Sequence, residues 1–349
     1  MGALVVTASG FVQARSPARV LVQLVEVAGL VLGLAVVVYA ATIELLNASY
    51  DPTRELWREL NGRFAARYER ETGHHLTIRQ SHGGSSTQAR AVIDGLEADV
   101  VTLALFGDTD AIRKKGLIDV KWVERLPNRS VPYTSTVVFA VRRGNPKGIR
   151  DWPDLVRPGV AVVTPNPKTS GNGKLSFLAA WAAVIARGGS EKDAREFVAR
   201  LYGQVPVLDS GARGSTVTFV QRKIGDVHLT WENEAVRAVA EAPPGEVEIV
   251  RPPVSVLAEP PVTVVDATVD RKGTRSAATA YLRWLFTEEA QEIIARHGYR
   301  PVDAAVLARH RRAFPPLTLV PVTALARDWS EAQEKFFDDG KIFDQVVRR

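Results

Sequence analysis

From Thr42 onward the chain alternates short runs of β-branched and apolar residues with stretches in which apolar positions recur at helical spacing. TIELLNAS precedes a helix expected from Asp51, LTIRQS precedes one from about Ser85, and DVVTLAL precedes DTDAIRKKG. The pattern continues with VAVVTP and a helix from Lys174, PVLDS and a helix from about Gly214, then DVHLTW and NEAVRAVAEA. Strand followed by helix, many times over, predicts an α/β fold with parallel sheets flanked by helices. Ligands of such folds sit beyond the carboxyl ends of the strands, where the helices begin.

The loops at those ends share a composition. Asn47 to Pro52 reads NASYDP, which suggests an Asp cap and a proline in the first helical turn. SHGGS at 81 to 85, SGNG at 170 to 173 and SGARGS at 210 to 215 follow strands in the same way. Glycine there costs stability unless the backbone needs its freedom or something approaches closely. Unpaired NH groups at helix starts, backed by the helix dipole, suit a bound anion. One such loop reads as an ordinary cap, whereas several together point to a shared anion site.

TPNPKTSGNGKLSF tests the obvious anion. A nucleotide phosphate loop needs glycine, four residues, then Gly-Lys-Ser/Thr. Here Leu175 follows Gly173-Lys174 and Lys168 stands where the first glycine belongs, so the nucleotide reading fails. His82-Gly83-Gly84 resembles the oxyanion segment of esterases, but the chain has no Gly-x-Ser-x-Gly nucleophile elbow.

Composition narrows the classes further. The chain has 349 residues, 46% hydrophobic and 24% charged, which fits a globular protein of one large or two medium domains. It has no cysteine, which removes disulfides, thiolate metal sites and cysteine nucleophiles. The 6 histidines show no metal-ligand spacing. The net charge of +6 favours the arrival of small anions. Its cations are spread along helices such as RELWRELNGRFAARYER beside carboxylates, so no nucleic-acid surface is expected.

Arg15 and Arg19 precede an apolar run from Val27 to Ile43 that ends in small residues. Basic region, apolar core and a small-residue site around Ala40 and Ala41 give the order of an export signal over residues 1 to 41. A retained N-terminal anchor is the alternative, because the run sits at the short end of the roughly 17 to 25 residues that span a bilayer. Either way the body is expected outside the cytoplasm, where ATP is scarce.

LLNASYDPTREL, QSHGGSSTQA, ADVVTLAL, TSTVVFAVRRGNP, TPNPKTSGNGKLSFLAAW, VLDSGARGSTVTFVQRKIGDV, TWENEA and YRPVDA resemble the sulfate-binding proteins of bacterial ABC-type sulfate and thiosulfate uptake systems. The likeness runs from about Glu44 to the C-terminus. It implies the type II periplasmic binding-protein fold, α/β, with two lobes that each hold a central, mostly parallel sheet and are joined by crossing strands.

The resemblance also implies the ligand set. Backbone NH groups of Asp51, Ser85, Gly171, Asn172 and Ala212, the hydroxyl of Ser170 and the indole NH of Trp231 hold the anion. Asn172 departs from relatives that carry glycine there, a change expected to suit asparagine's tolerance of the left-handed conformation. Sulfate is fully ionised and only accepts hydrogen bonds, so a set made of donors satisfies it and leaves the proton of a protonated phosphate unmatched. Lys168, Lys174 and Arg213 lie nearby in sequence and are expected to face solvent or pair elsewhere.

The lobes are expected at 42 to 135 plus 263 to 349, and at 136 to 262. Asp51 and Ser85 then stand on one lobe, and Ser170, Gly171, Asn172, Ala212 and Trp231 on the other. The expected protein is a periplasmic monomer that is no enzyme, needs no cofactor or metal, and delivers sulfate or thiosulfate to membrane permease subunits.

Overall fold

The computed structural model describes residues 42 to 347, so the expected signal or anchor lies outside the described residues. The first sheet has the strand order β11-β3-β1-β2. It is built from β1 (Ile43–Tyr50), β2 (Leu76–Gly83), β3 (Val100–Thr102) and β11 (Val262–Val264). β1 runs parallel to β2 and β3, and β11 runs antiparallel to β3. The register sets Tyr50 opposite Gly83, which brings the loop after β1 beside the loop after β2.

The second sheet has the order β7-β6-β8-β5-β9. Its strands are β5 (Val137–Arg142), β6 (Val162–Pro165), β7 (Leu208–Asp209), β8 (Val227–Trp231) and β9 (Val247–Val250). β6 is parallel to β7 and β8, while β5 pairs antiparallel with β8 and β9. This sheet is therefore evenly mixed rather than mostly parallel. The reversal has a topological cause: β5 and β11 are the strands by which the chain enters one sheet from the other, and β5 lies antiparallel to β8 and β9 as β11 does to β3. The two crossing segments touch where Ser135 and Ala258 form an isolated antiparallel bridge, with NH to O distances of 3.0 and 2.9 Å.

Helices open where the strands end. After Asp51–Thr53, a single tight turn, α1 (Arg54–Thr72) lays Leu56, Trp57, Leu60 and Phe64 on the first sheet at helical spacing. It stops at Gly73, whose φ of 73° is the left-handed conformation that glycine adopts without strain. α2 (Ser85–Ile93) follows β2, and α3 (Phe106–Lys114) follows β3. On the second sheet, α4 (Gly171–Ile185), α5 (Glu191–Gly203), α6 (Ala212–Val220) and α7 (Glu232–Glu241) follow in turn. Two of these begin earlier than the apolar spacing suggests, at Gly171 rather than Lys174 and at Ala212 rather than Gly214.

α4 is buried almost all round. LSFLAAWAAVI has no polar face, so it requires cover on every side. The C-terminal stretch supplies that cover: Phe337 and Phe343 pack edge-on against Phe177 at 5.6 and 6.0 Å, and Phe336 against Trp181 at 5.1 Å. Residues 263 to 349 were expected with the first sheet, yet these aromatic side chains join the core around α4. An apolar helix attracts whatever aromatic surface remains in the chain, and pattern along the sequence does not show which sheet receives it.

Candidate functional site

The first residues of helices from both sheets meet around one small cavity. Every expected site residue lines it: Asp51, Ser85, Ser170, Gly171, Asn172, Ala212 and Trp231, together with Tyr50, Pro52, Gly83 and Gly84. Asp51 opens the turn before α1, Ser85 opens α2, Gly171 and Asn172 open α4, Ala212 opens α6, and Trp231 is the residue from which α7 springs. The leading NH groups of a helix have no acceptor within it. Each helix start also carries about half a positive charge from aligned peptide dipoles. The cavity is thus electropositive although no lysine or arginine lines it.

The side chains around it are held so that donors remain available. The Ser170 hydroxyl accepts from the Gly173 NH at 3.4 Å, which leaves its own hydrogen free to be given. Ser85 behaves differently. Its hydroxyl donates to Asp108 Oδ2 at 2.5 Å and accepts from the Ala104 NH at 3.0 Å, so its side chain is used within the protein. The indole NH of Trp231 is fully buried and has no partner within the protein. The Tyr50 ring packs on that indole with 5.5 Å between centroids. Burial, and then the neighbouring hydroxyls of Tyr133 and Tyr299, push the Tyr50 phenol well above its usual range, so it stays neutral.

Two local expectations fail. Asp51 is not the cap of its helix, because the extended strand runs through Tyr50, with φ −92° and ψ 151°, and the carboxylate turns instead to Arg54 at 2.6 Å. Asn172 is not left-handed, since it is the second residue of α4 and is absent from the positive-φ residues. Helical geometry here suits asparagine as well as glycine, and what the side chain adds is an amide in the cavity wall. That side chain is buried, 1% exposed, and neither Nδ2 nor Oδ1 has a partner. A purely donating wall was expected; the carboxamide also brings an acceptor.

Comparison with known proteins decides the family. Residues 57–300 match the family model of bacterial extracellular solute-binding proteins. The chain is 52% identical over 313 residues to the sulfate-binding protein of Escherichia coli (strain K12), covering 89% of this chain and 95% of that one. It is 49% identical over 320 residues to a thiosulfate-binding protein of Pseudomonas aeruginosa, covering 91% and 96%. The chain belongs to the bacterial extracellular solute-binding proteins. Among solved structures, the sulfate-binding protein SubI from Mycobacterium tuberculosis H37Rv is similar with a TM-score of 0.76 and 34% identity, over 85% of this chain and 100% of that one.

The solute-binding protein keeps its cations around the cavity rather than in it. Lys174 is buried and reaches across to the first sheet's helices, 3.0 Å from Ser86 Oγ and 3.6 Å from Asp108 Oδ1. Lys168 lies 2.8 Å from the Phe337 carbonyl and 3.0 Å from Asp344. Arg213 reaches Glu55 at 3.3 Å and Glu234 at 3.1 Å, and Arg237 pairs with Glu55 as well. The pairing that sequence suggested for these residues is present, with Lys174 buried and Lys168 and Arg213 partly exposed. Burial raises the Glu234 carboxyl above its ordinary value against the pull of Arg213 and Arg237. His82, at the end of β2, is pushed down to about 4 by burial and by the charge of Arg54, so it is neutral at pH 7.

Close approach explains two of the glycines in these loops. A Cβ on Gly171 would stand 2.7 Å from the Ala104 Cβ, and one on Gly84 would stand 2.4 Å from the Thr169 carbonyl. Each contact joins one sheet's loop to the other's. Among the described residues there is no cluster of His, Asp or Glu able to hold a metal, and no helix long and apolar enough to cross a membrane.

Proposed function

We propose that this protein captures sulfate between its lobes in the periplasm and delivers it to the permease subunits of an ABC-type uptake system. The observation that carries the reading is the buried, unpartnered indole NH of Trp231 in the wall of a cavity ringed by helix starts and free of cations. Sulfate offers only acceptors, and the proposed donors are the NH groups of Asp51, Ser85, Gly171, Asn172 and Ala212, the Ser170 hydroxyl and that indole. Distributed dipoles compensate its charge. The names of the similar proteins favour sulfate, with thiosulfate as a second reading supported by the 49% identical Pseudomonas relative.

The moving bodies are proposed as residues 42 to 135 with the first part of 263 to 349, against 136 to 262 with the C-terminal aromatics that pack on α4. The anion stabilises the closed form because only closure brings both halves of its donor set together. A loaded, closed monomer is the form a permease recognises. Binding rather than catalysis is the proposed role, in keeping with the solute-binding family to which the chain belongs. Isothermal titration of the purified protein with sulfate, thiosulfate, phosphate and molybdate tests the proposal. Sulfate binding in the micromolar range or tighter supports it, and millimolar or absent binding overturns it.

A further inference from the structure

Tyr299 and Arg300 open the YRPVDA stretch and stand outside the cavity wall, yet they grip the residues that follow Trp231. Arg300 and Pro301 form a short strand antiparallel to Tyr133 and Thr134. From there Arg300 closes on both carboxylate oxygens of Glu232, at 2.7 and 3.1 Å, and Arg251 adds a contact at 2.9 Å. Glu232 is fully buried and is the first residue of α7. At Gly298, where φ is 81°, a Cβ would stand 3.1 Å from the Asn233 Cα, so the backbone before Tyr299 lies against the start of that helix.

The Tyr299 hydroxyl completes the contact. The residue is buried, and its Oη lies 3.0 Å from the Pro52 carbonyl and 2.9 Å from Asn233 Nδ2. A carbonyl only accepts, so the hydroxyl gives its one hydrogen to Pro52 and accepts from the Asn233 amide. The chain from amide to hydroxyl to carbonyl joins the turn that begins at Asp51 to the second residue of α7. Each bond in such a chain polarises the next. The ring is fixed as well: it packs on Tyr133 with 4.7 Å between centroids, and Tyr133 Oη lies 3.5 Å from the hydroxyl of Tyr50, whose ring packs on the Trp231 indole.

We infer that Tyr299 is a positioning residue of the anion site, which holds the turn carrying the Asp51 NH and the helix start carrying the Trp231 indole at their closed spacing through one shared oxygen. The inference rests on the oxyanion reading of the cavity and deepens it. Tyr299 and Pro52 belong to one proposed moving body and Asn233 to the other, so the bond to Asn233 forms on closure and opposes opening. Without the hydroxyl, closure buries the Asn233 amide with no acceptor, whereas opening returns it to water.

The test is titration and stopped-flow tryptophan fluorescence with sulfate on the purified full chain, for the natural protein, Tyr299→Phe, Asn233→Ala and the double variant, with thermal melts in the absence of sulfate to verify folding. Tyr299→Phe keeps the ring and removes only the oxygen. Its sulfate Kd should rise about ten- to a hundredfold, the effect of one buried amide left unmatched, through faster dissociation at an unchanged association rate. Asn233→Ala should lose less. The double variant has no amide left to strand, so it should bind sulfate more tightly than Tyr299→Phe, a recovery that a general loss of packing does not produce. A natural Kd for Tyr299→Phe, or a double variant that binds no more tightly than Tyr299→Phe, overturns the inference alone. If Tyr299→Phe does not fold, Asn233→Ala decides: an unchanged dissociation rate overturns the inference and a faster one supports it. Absence of sulfate binding by the natural protein overturns the proposed function and the inference with it.

Discussion

Trp231 and Trp57 make a controlled pair, since both are fully buried and both indole NH groups lack a partner in the protein. Only Trp231 lines the cavity, whereas Trp57 sits in the core under α1. Trp231→Phe is expected to weaken sulfate binding by about ten- to a hundredfold, the effect of one lost buried hydrogen bond. Trp57→Phe should leave the affinity in place, and equal affinities for both variants would remove the indole from the ligand set. The histidines give a second prediction at this scale. Burial holds His228 down to about 4, with the Arg142 charge adding to the effect against a hydrogen bond to the Val163 carbonyl. In the unfolded chain a histidine titrates near about 6.5. The unfolded state therefore takes up protons first, so the stability contributed by neutral His82 and His228 is full above about 6.5 and lost as pH falls toward about 4. Denaturation midpoints at pH 7.5 and 4.5 measure the loss, and His228→Gln should narrow the difference.

At the level of elements, the loops were legible because glycine, serine and asparagine at strand ends carry a backbone meaning that sequence displays. Ser85 reads correctly as a helix start in SHGGS. Gly171 reads as a donor, but its neighbour across the cavity, Ala104, lies in a loop of the other sheet, and no spacing rule connects the two positions. Asp51 was misread as a cap because Asp-Pro is a common helix opening, while the deciding fact is a strand that continues one residue further. The partners of Lys174 were invisible for the same reason as Ala104: Asp108 and Ser86 are distant in sequence. Gly171→Ala follows from the observed contact. A methyl 2.7 Å from Ala104 demands movement of a loop, and overpacking of this kind typically costs 1 to 3 kcal/mol. Sulfate affinity should fall at least about tenfold. The melting temperature of the ligand-free protein should hold, because the strain arises where the lobes meet; a fall in melting temperature without loss of affinity would refute the assignment.

For the whole molecule, charge is placed around the proposed anion site rather than in it. Lys174 with Asp108 and Arg213 and Arg237 with Glu55 connect elements of one sheet to elements of the other. In the proposed closed form these pairs would act as fasteners, and Asp108→Asn keeps the shape while leaving the Lys174 ammonium short of a countercharge. An unpaired buried charge is strongly unfavourable. Small-angle scattering at saturating sulfate should then show a larger radius for the variant than for the natural protein, with titration reporting at least about tenfold weaker binding. Equal radii and equal affinities would show that the pair contributes nothing to closure.

The meeting of backbone with backbone at Gly84 and Gly171 has a consequence for ligand size. Where Thr169 and Ala104 already lie at contact distance from these glycines, the lobes have no slack in their final approach. An anion with longer bonds, such as molybdate, is expected to hold the two faces apart and so to weaken packing at both glycines together. In the proposed site, hydrogen-bond donors would read the charge of the anion, while two missing side chains would gauge its diameter.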